Sequence, residues 1–155
     1  MRLVAVGTRM PAWVAAGYAD YVRRMTGPYR LALTEIPAAH RTRASDPDRA
    51  RREEGERILA AVPDGAFMVM LDVCGCMRSS EQLVMDLASW LRQGRVTFVV
   101  GGAEGLSTDC QGRANETWSL SPLTLPHALV RVLLAEQLYR AYATLTDKPY
   151  HRGQA

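Results

Sequence analysis

Val96-Thr97-Phe98-Val99-Val100-Gly101-Gly102-Ala103-Glu104-Gly105 is the stretch that decides the fold class. Its first five residues are almost continuously apolar and rich in β-branched and aromatic side chains, which suit a pleated strand. An unbroken apolar run, rather than an alternating one, predicts a strand covered on both faces, as in a parallel sheet. The glycines that follow allow a sharp turn, a positive φ or a close approach of backbone to a ligand. Phe67-Met68-Val69-Met70-Leu71 has the same character and also ends in a loop, Asp72-Val73-Cys74-Gly75.

Working outward, further strands are expected at 2–6, 31–36 and 118–120. Helical spacing of Val14, Tyr18, Tyr21 and Val22 predicts a helix from 11 to 25. Ser45-Asp46-Pro47 supplies a cap residue followed by proline, and predicts a helix to residue 62. Ser79 and Gln82 match a capping box, which starts a helix that stops before Gly94. The last helix is predicted over 126–145, with Pro126 at its start. Residues 38–48 are polar, arginine-rich and without period, and are expected to form a mobile loop. Alternating strands and helices without repeat or linker predict one α/β domain over 1–155, a Rossmann-like, mostly parallel sheet with helices on both faces.

With 155 residues, 48% hydrophobic and 23% charged, the chain can bury about 68–70% of its unfolded surface. No apolar run reaches the roughly 18–20 residues of a membrane span, and the apolar start before Gly7-Thr8-Arg9 is too short for a secretion signal. Three cysteines, Cys74, Cys76 and Cys110, do not make a disulfide framework; a reducing cytoplasm and no membrane are expected. Nor do they make a zinc site, which prefers four regularly spaced ligands, so no metal is expected. Net charge is only +3, but residues 1–57 hold 11 arginines against 7 acids. That excess fits an anionic partner or a solvated arginine-rich surface.

Three loops carry the candidate chemistry, and each follows a predicted strand: 71–75, 101–105 and 119–127. Ligands of parallel α/β sheets bind beyond the carboxyl ends of the strands, so the three are expected to share one edge. The glycine loop is neither the dinucleotide fingerprint nor a P-loop; it reads as a phosphate-type cradle or as a plain tight turn. The third loop, stiffened by Pro122 and Pro126, could hold an adenine by apolar packing or simply connect strand to helix. His127 and Arg131 stand one helical turn apart. Glu104 could serve as a base or be solvated. Tyr150-His151-Arg152 combines an aromatic ring, an imidazole and a guanidinium, groups suited to RNA, or forms a frayed terminus.

The combination is more specific than its parts. Leu3-Val4-Ala5-Val6-Gly7, Leu71-Asp72 with Gly75 and Ser79-Ser80, Gly101-Gly102-Ala103-Glu104-Gly105-Leu106-Ser107, Trp118-Ser119-Leu120-Ser121, Thr124-Leu125-Pro126-His127, Val130-Arg131-Val132, Glu136-Gln137-Leu138-Tyr139-Arg140-Ala141 and Tyr150-His151-Arg152 occur in this order. Together they resemble the bacterial large-subunit ribosomal RNA pseudouridine N3-methyltransferases, minimal members of the SPOUT superfamily. The resemblance implies a C-terminal trefoil knot, a feature that ordinary connection rules would not predict. It further implies S-adenosyl-L-methionine as cofactor, a homodimer with the site at the subunit interface, and large-subunit ribosomal RNA within the ribosome as substrate. Its cofactor contacts fall on Leu71, Gly101, Leu120, Ser121, Pro122, Leu123, Thr124 and Leu125. His127, Arg131, Tyr150, His151 and Arg152 are then expected to position the target base and its phosphate, the tail acting across the dimer. Val73-Cys74 and Cys76-Met77 are less polar than some relatives, and Gly153-Gln154-Ala155 extends past the usual end. The competing readings are a non-enzymatic nucleotide- or RNA-binding module and an α/β hydrolase, which would need a nucleophile that the sequence does not offer.

Overall fold

Successive residues of the central strands point into two different cores. In the computed structural model, which describes residues 1–40 and 46–150, Val69, Leu71, Val96, Phe98 and Val100 face one cluster. Met68, Met70 and Val99 face the other. The period of two sends neighbours to opposite faces, and both faces are dry because helices cover both.

The strands are β1 (Arg2–Val6), β2 (Ala32–Ile36), β3 (Phe67–Met77), β4 (Val96–Val100) and β5 (Glu116–Ser119). They form one five-stranded sheet of order β2-β1-β4-β3-β5, and every pairing is parallel. Helices α1 (Ala12–Val22), α3 (Ser80–Arg92) and α5 (His127–Leu145) cover the first face, with Tyr18, Leu87, Trp90 and Leu134 in the cluster. Helices α2 (Pro47–Ala61) and α4 (Thr108–Arg113) cover the second through Ile58 and Cys110. The α/β class, parallel sheet and two-sided cover agree with the sequence expectation.

Local chemistry explains most element ends. Asp46 caps α2 by accepting from the Asp48 N–H, with Pro47 in the first turn, and the Ser79/Gln82 capping box starts α3. The expected mobile loop falls partly on 41–45, outside the described residues. One flank is fixed, since the Ala39 N–H donates to buried Glu54.

Three expectations shift, and one element was not expected. Helix α1 stops at Val22 rather than residue 25. Strand β5 lies at Glu116–Ser119 rather than 118–120. Helix α4, six residues started by a Ser107 cap, is too short to show a period. Strand β3 runs on to Met77 rather than ending at Leu71, because its register shifts: Leu71 and Cys76 both pair with Trp118. Gly75 makes that possible, since a Cβ there would lie 2.7 Å from the Trp118 backbone nitrogen.

After β5 the chain returns toward the opposite side of the sheet, where His127 and Arg131 at the start of α5 stand beside Gly7 at the end of β1. This path over the ends of β3 and β4 is consistent with the knotted C-terminal arrangement that the resemblance implies. Leu134 is fully buried under α5. Leu134→Ala should cost about 2–5 kcal/mol of unfolding free energy, against about 1 kcal/mol for the capping variant Ser79→Ala. Denaturant titrations giving equal losses would contradict this packing.

Candidate functional site

Because β4, β3 and β5 are consecutive in the sheet, their carboxyl ends lie side by side. The loops that leave them enclose a cavity of about 540 Å³, lined by residues 71–73, 100–103, 105–106, 118–121 and 123–127 with Val130. That volume falls in the range of small-molecule and cofactor sites. The three loops expected to converge do so.

The glycine loop is both a tight turn and a wall of the cavity. The Gly105 N–H donates to the Gly102 carbonyl over 3.1 Å, and Gly105 takes a φ of +77°. A Cβ on Gly101 would sit 2.7 Å from the Gly105 carbonyl oxygen, and one on Gly102 would strike the Glu54 carboxylate. Gly101 is thus required by the loop's own packing, and Gly102 by the buried Glu54 of α2 that lies against it. Glu104 is exposed and lies outside the cavity lining.

The third loop is fastened by its serines. Ser119 Oγ donates to the Ser121 carbonyl at 2.8 Å, and Ser121 Oγ accepts from the Leu123 N–H at 3.0 Å. Leu120, Ser121, Leu123, Thr124 and Leu125 line the cavity, as do Leu71 and Gly101; Pro122 does not. Leu123 is 71% exposed at the rim, an apolar side chain without cover. Asp72 turns back, its carboxylate accepting from the Cys74 N–H at 2.9 Å.

Behind this wall stands a group that sequence reasoning missed. Arg78 is bound to Asp86 at 2.6 Å and to Glu116. Its guanidinium faces the Trp90 and Trp118 rings, and Glu116 also accepts from the Trp90 indole N–H. This arrangement ties β5, which carries the cavity-lining Trp118, to α3. No local pattern links residues so far apart in sequence.

The expected RNA-facing residues are separated. His127 lines the cavity. Arg131, one turn later, does not; it is 2% exposed and donates to Glu35 at 2.7 Å and to the carbonyls of Val6 and Gly7 at 3.0 and 2.5 Å. Tyr150 packs edge-on against Tyr139 beneath the Arg140 guanidinium, and its hydroxyl meets Glu136 at 3.3 Å. His151 and Arg152 lie outside the described residues. The arginines of α2 are paired locally, Arg49 and Arg57 with Glu53, Arg51 with Asp48 and Arg52 with Asp46, so the excess of the first 57 residues lies outside that helix.

Among the described residues no cluster of three or more His, Cys, Asp or Glu could hold a metal, and no helix is long and apolar enough to cross a membrane. Cys74 and Cys76 are exposed, whereas Cys110 is buried, and burial pushes its thiol above the usual cysteine range. A thiol reagent should therefore label two cysteines per native chain quickly and the third only on unfolding. Three rapid labels would refute this placement.

Comparisons with known proteins agree with the geometry. A family model described as "Predicted SPOUT methyltransferase" matches residues 1–151. A Stenotrophomonas maltophilia protein named "Ribosomal RNA large subunit methyltransferase H" is 49% identical over 98% of each chain. The protein of the same name from Alkalilimnicola ehrlichii is 51% identical over 99% of each chain. Among solved structures, a "probable methylase family protein" from Haemophilus influenzae Rd KW20 superposes with a TM-score of 0.56 at 12% identity, covering 99% of this chain and 71% of that one. TrmJ from Z. mobilis ZM4 gives 0.50 at 20% identity, covering 90% and 69%. At those identities the two structures speak for the fold alone.

Proposed function

Because the chain belongs to the SPOUT methyltransferase family, we propose that it uses S-adenosyl-L-methionine to methylate N3 of a pseudouridine in large-subunit ribosomal RNA, acting on the assembled ribosome. The observation that carries this reading is the cavity where three strand-end loops meet. The names of relatives near 50% identity over almost the whole chain support the ribosomal RNA substrate.

The cavity fits the cofactor. Leu71, Leu106, Leu120 and Leu125 give it apolar walls for a planar adenine, while the glycine loop and the 120–125 loop bring backbone groups to its edge. We assign cofactor contacts to Leu71, Gly101, Leu120, Ser121, Leu123, Thr124 and Leu125, with Pro122 stiffening the loop from outside. When bound, S-adenosyl-L-methionine supplies an electrophilic methyl group on a sulfonium. The protein's part is to hold the two reactants in line and exclude water, so that orientation provides much of the rate. The N3–H proton leaves as the new N–C bond forms, and Asp72 and His127 are the titratable side chains on the cavity wall.

The tail is assigned to a partner's cavity in a homodimer. Tyr150 is clamped at Glu136, Tyr139 and Arg140. Apolar surface suited to a second copy exists on α1, where Trp13 is 59% exposed, and on half-buried Leu129 and Leu133 of the neighbouring α5. Arg9, exposed in the turn between β1 and α1, is available for a phosphate.

Incubating the protein with methyl-labelled S-adenosyl-L-methionine and ribosomes lacking the modification should place label in a pseudouridine of large-subunit RNA. Absence of label despite bound cofactor would remove the substrate assignment, and absence of cofactor binding in calorimetry would remove the methyltransferase reading. Gly101→Val, which must open the 101–105 turn, should abolish cofactor binding in the same calorimeter. Deletion of residues 150–155 should keep cofactor affinity yet cut methyl transfer at least about tenfold through lost orientation; full turnover would make the tail dispensable.

A further inference from the structure

Arg131 is among the largest fully buried side chains, and a buried cation is costly unless it is paired and hydrogen-bonded; its two terminal nitrogens are answered, while Nε is buried without a partner. Here Nη1 reaches the Glu35 carboxylate at the end of β2, and Nη2 reaches the carbonyls of Val6 and Gly7 at the end of β1. Only a planar fork meets acceptors in these different directions; a lysine ammonium, a point donor on a flexible stem, does not.

The joint also contains His127. Gly7 adopts a φ of +104°, and a Cβ on it would stand 3.5 Å from Arg131 Nη2, 3.6 Å from His127 Nε2 and 2.8 Å from Met10 Cε. The turn after β1 is thus seated between the two side chains of the first turn of α5. His127 lines the cavity, and residues 120–126, most of which line it too, lead directly into that turn.

We infer that Arg131 is a positioning residue: by gripping Glu35 and the Val6 and Gly7 carbonyls it fixes His127 and the 120–126 wall at the cavity, and it touches no RNA. The inference deepens the ribosomal RNA methyltransferase reading and rests on it. It replaces the expectation that Arg131 meets a substrate phosphate.

The test compares the parent protein with Arg131→Lys, at a temperature where circular dichroism shows both fully folded. Methyl transfer to unmodified ribosomes should lose at least about tenfold in kcat from misplacement of the cavity wall. The KM for ribosomes and the salt dependence of ribosome binding, read by filter binding, should stay at the parent values. A salt slope flattened by about 0.7–0.9 would mean one lost phosphate contact and would overturn the inference. An unchanged kcat in the folded variant would also overturn it, leaving Arg131 a stability residue only. Should Arg131→Lys fail to fold, Gly7→Ala strains the same joint from the other side and carries the same expected kcat loss and unchanged salt slope. A parent protein that binds S-adenosyl-L-methionine but methylates no RNA would bring down the reading beneath, and this inference with it.

Discussion

The guanidinium of Arg131 holds together two parts of the chain that the sheet order keeps apart. Strand β5 lies at one edge, and β1 lies beyond β3 and β4. Three inter-strand steps of about 4.8 Å make a crossing of roughly 14 Å. The seven residues 120–126 can span at most about 24 Å when fully extended. The segment is long enough to cross the strand ends and line the cavity on its way, before Arg131 fastens the helix that follows it to Val6, Gly7 and Glu35. The buried face of α5 holds that helix on the sheet, and Arg131 sets its first turns against the end of β1.

The opposite wall is fixed by different physics. Gly101 and Gly102 pack so tightly against Gly105 and Glu54 that no side chain fits. The far edge is held by Arg78 between two tryptophans and two carboxylates. Each wall is thus supported by groups outside the cavity, which leaves the lining itself mostly apolar backbone-rich loop. Such a site binds and orients; it offers few ionisable side chains for chemistry, which suits a reaction whose reactive group arrives on the cofactor.

Much of this was legible from residues near one another in sequence. The apolar runs at 67–71 and 96–100 announced two-sided burial, the Ser79/Gln82 box and Pro47 announced helix starts, and strand-end glycine and proline loops announced a shared edge. What escaped depended on distant partners. The prolonged β3 follows from Gly75 sliding past Trp118. Spacing alone made Arg131 a companion of His127, yet its side chain turns to Glu35, 96 residues away in sequence. The same holds for Arg78 and Glu116. The basic excess of residues 1–57 fitted an anionic partner or a solvated surface, and the arginines of α2 lean to the second, since acids of the same helix meet them in i,i+3 and i,i+4 pairs.

The ligand itself was not readable from geometry; membership of a methyltransferase family implies a methyl donor, and S-adenosyl-L-methionine is the one we propose. A crystal structure of the protein grown with S-adenosyl-L-methionine tests this most directly. Density for the cofactor should fill the cavity, in contact with Leu71, Gly101 and the 120–125 loop. Cofactor bound elsewhere on the chain, or touching only one of the three loops, would contradict the assignment.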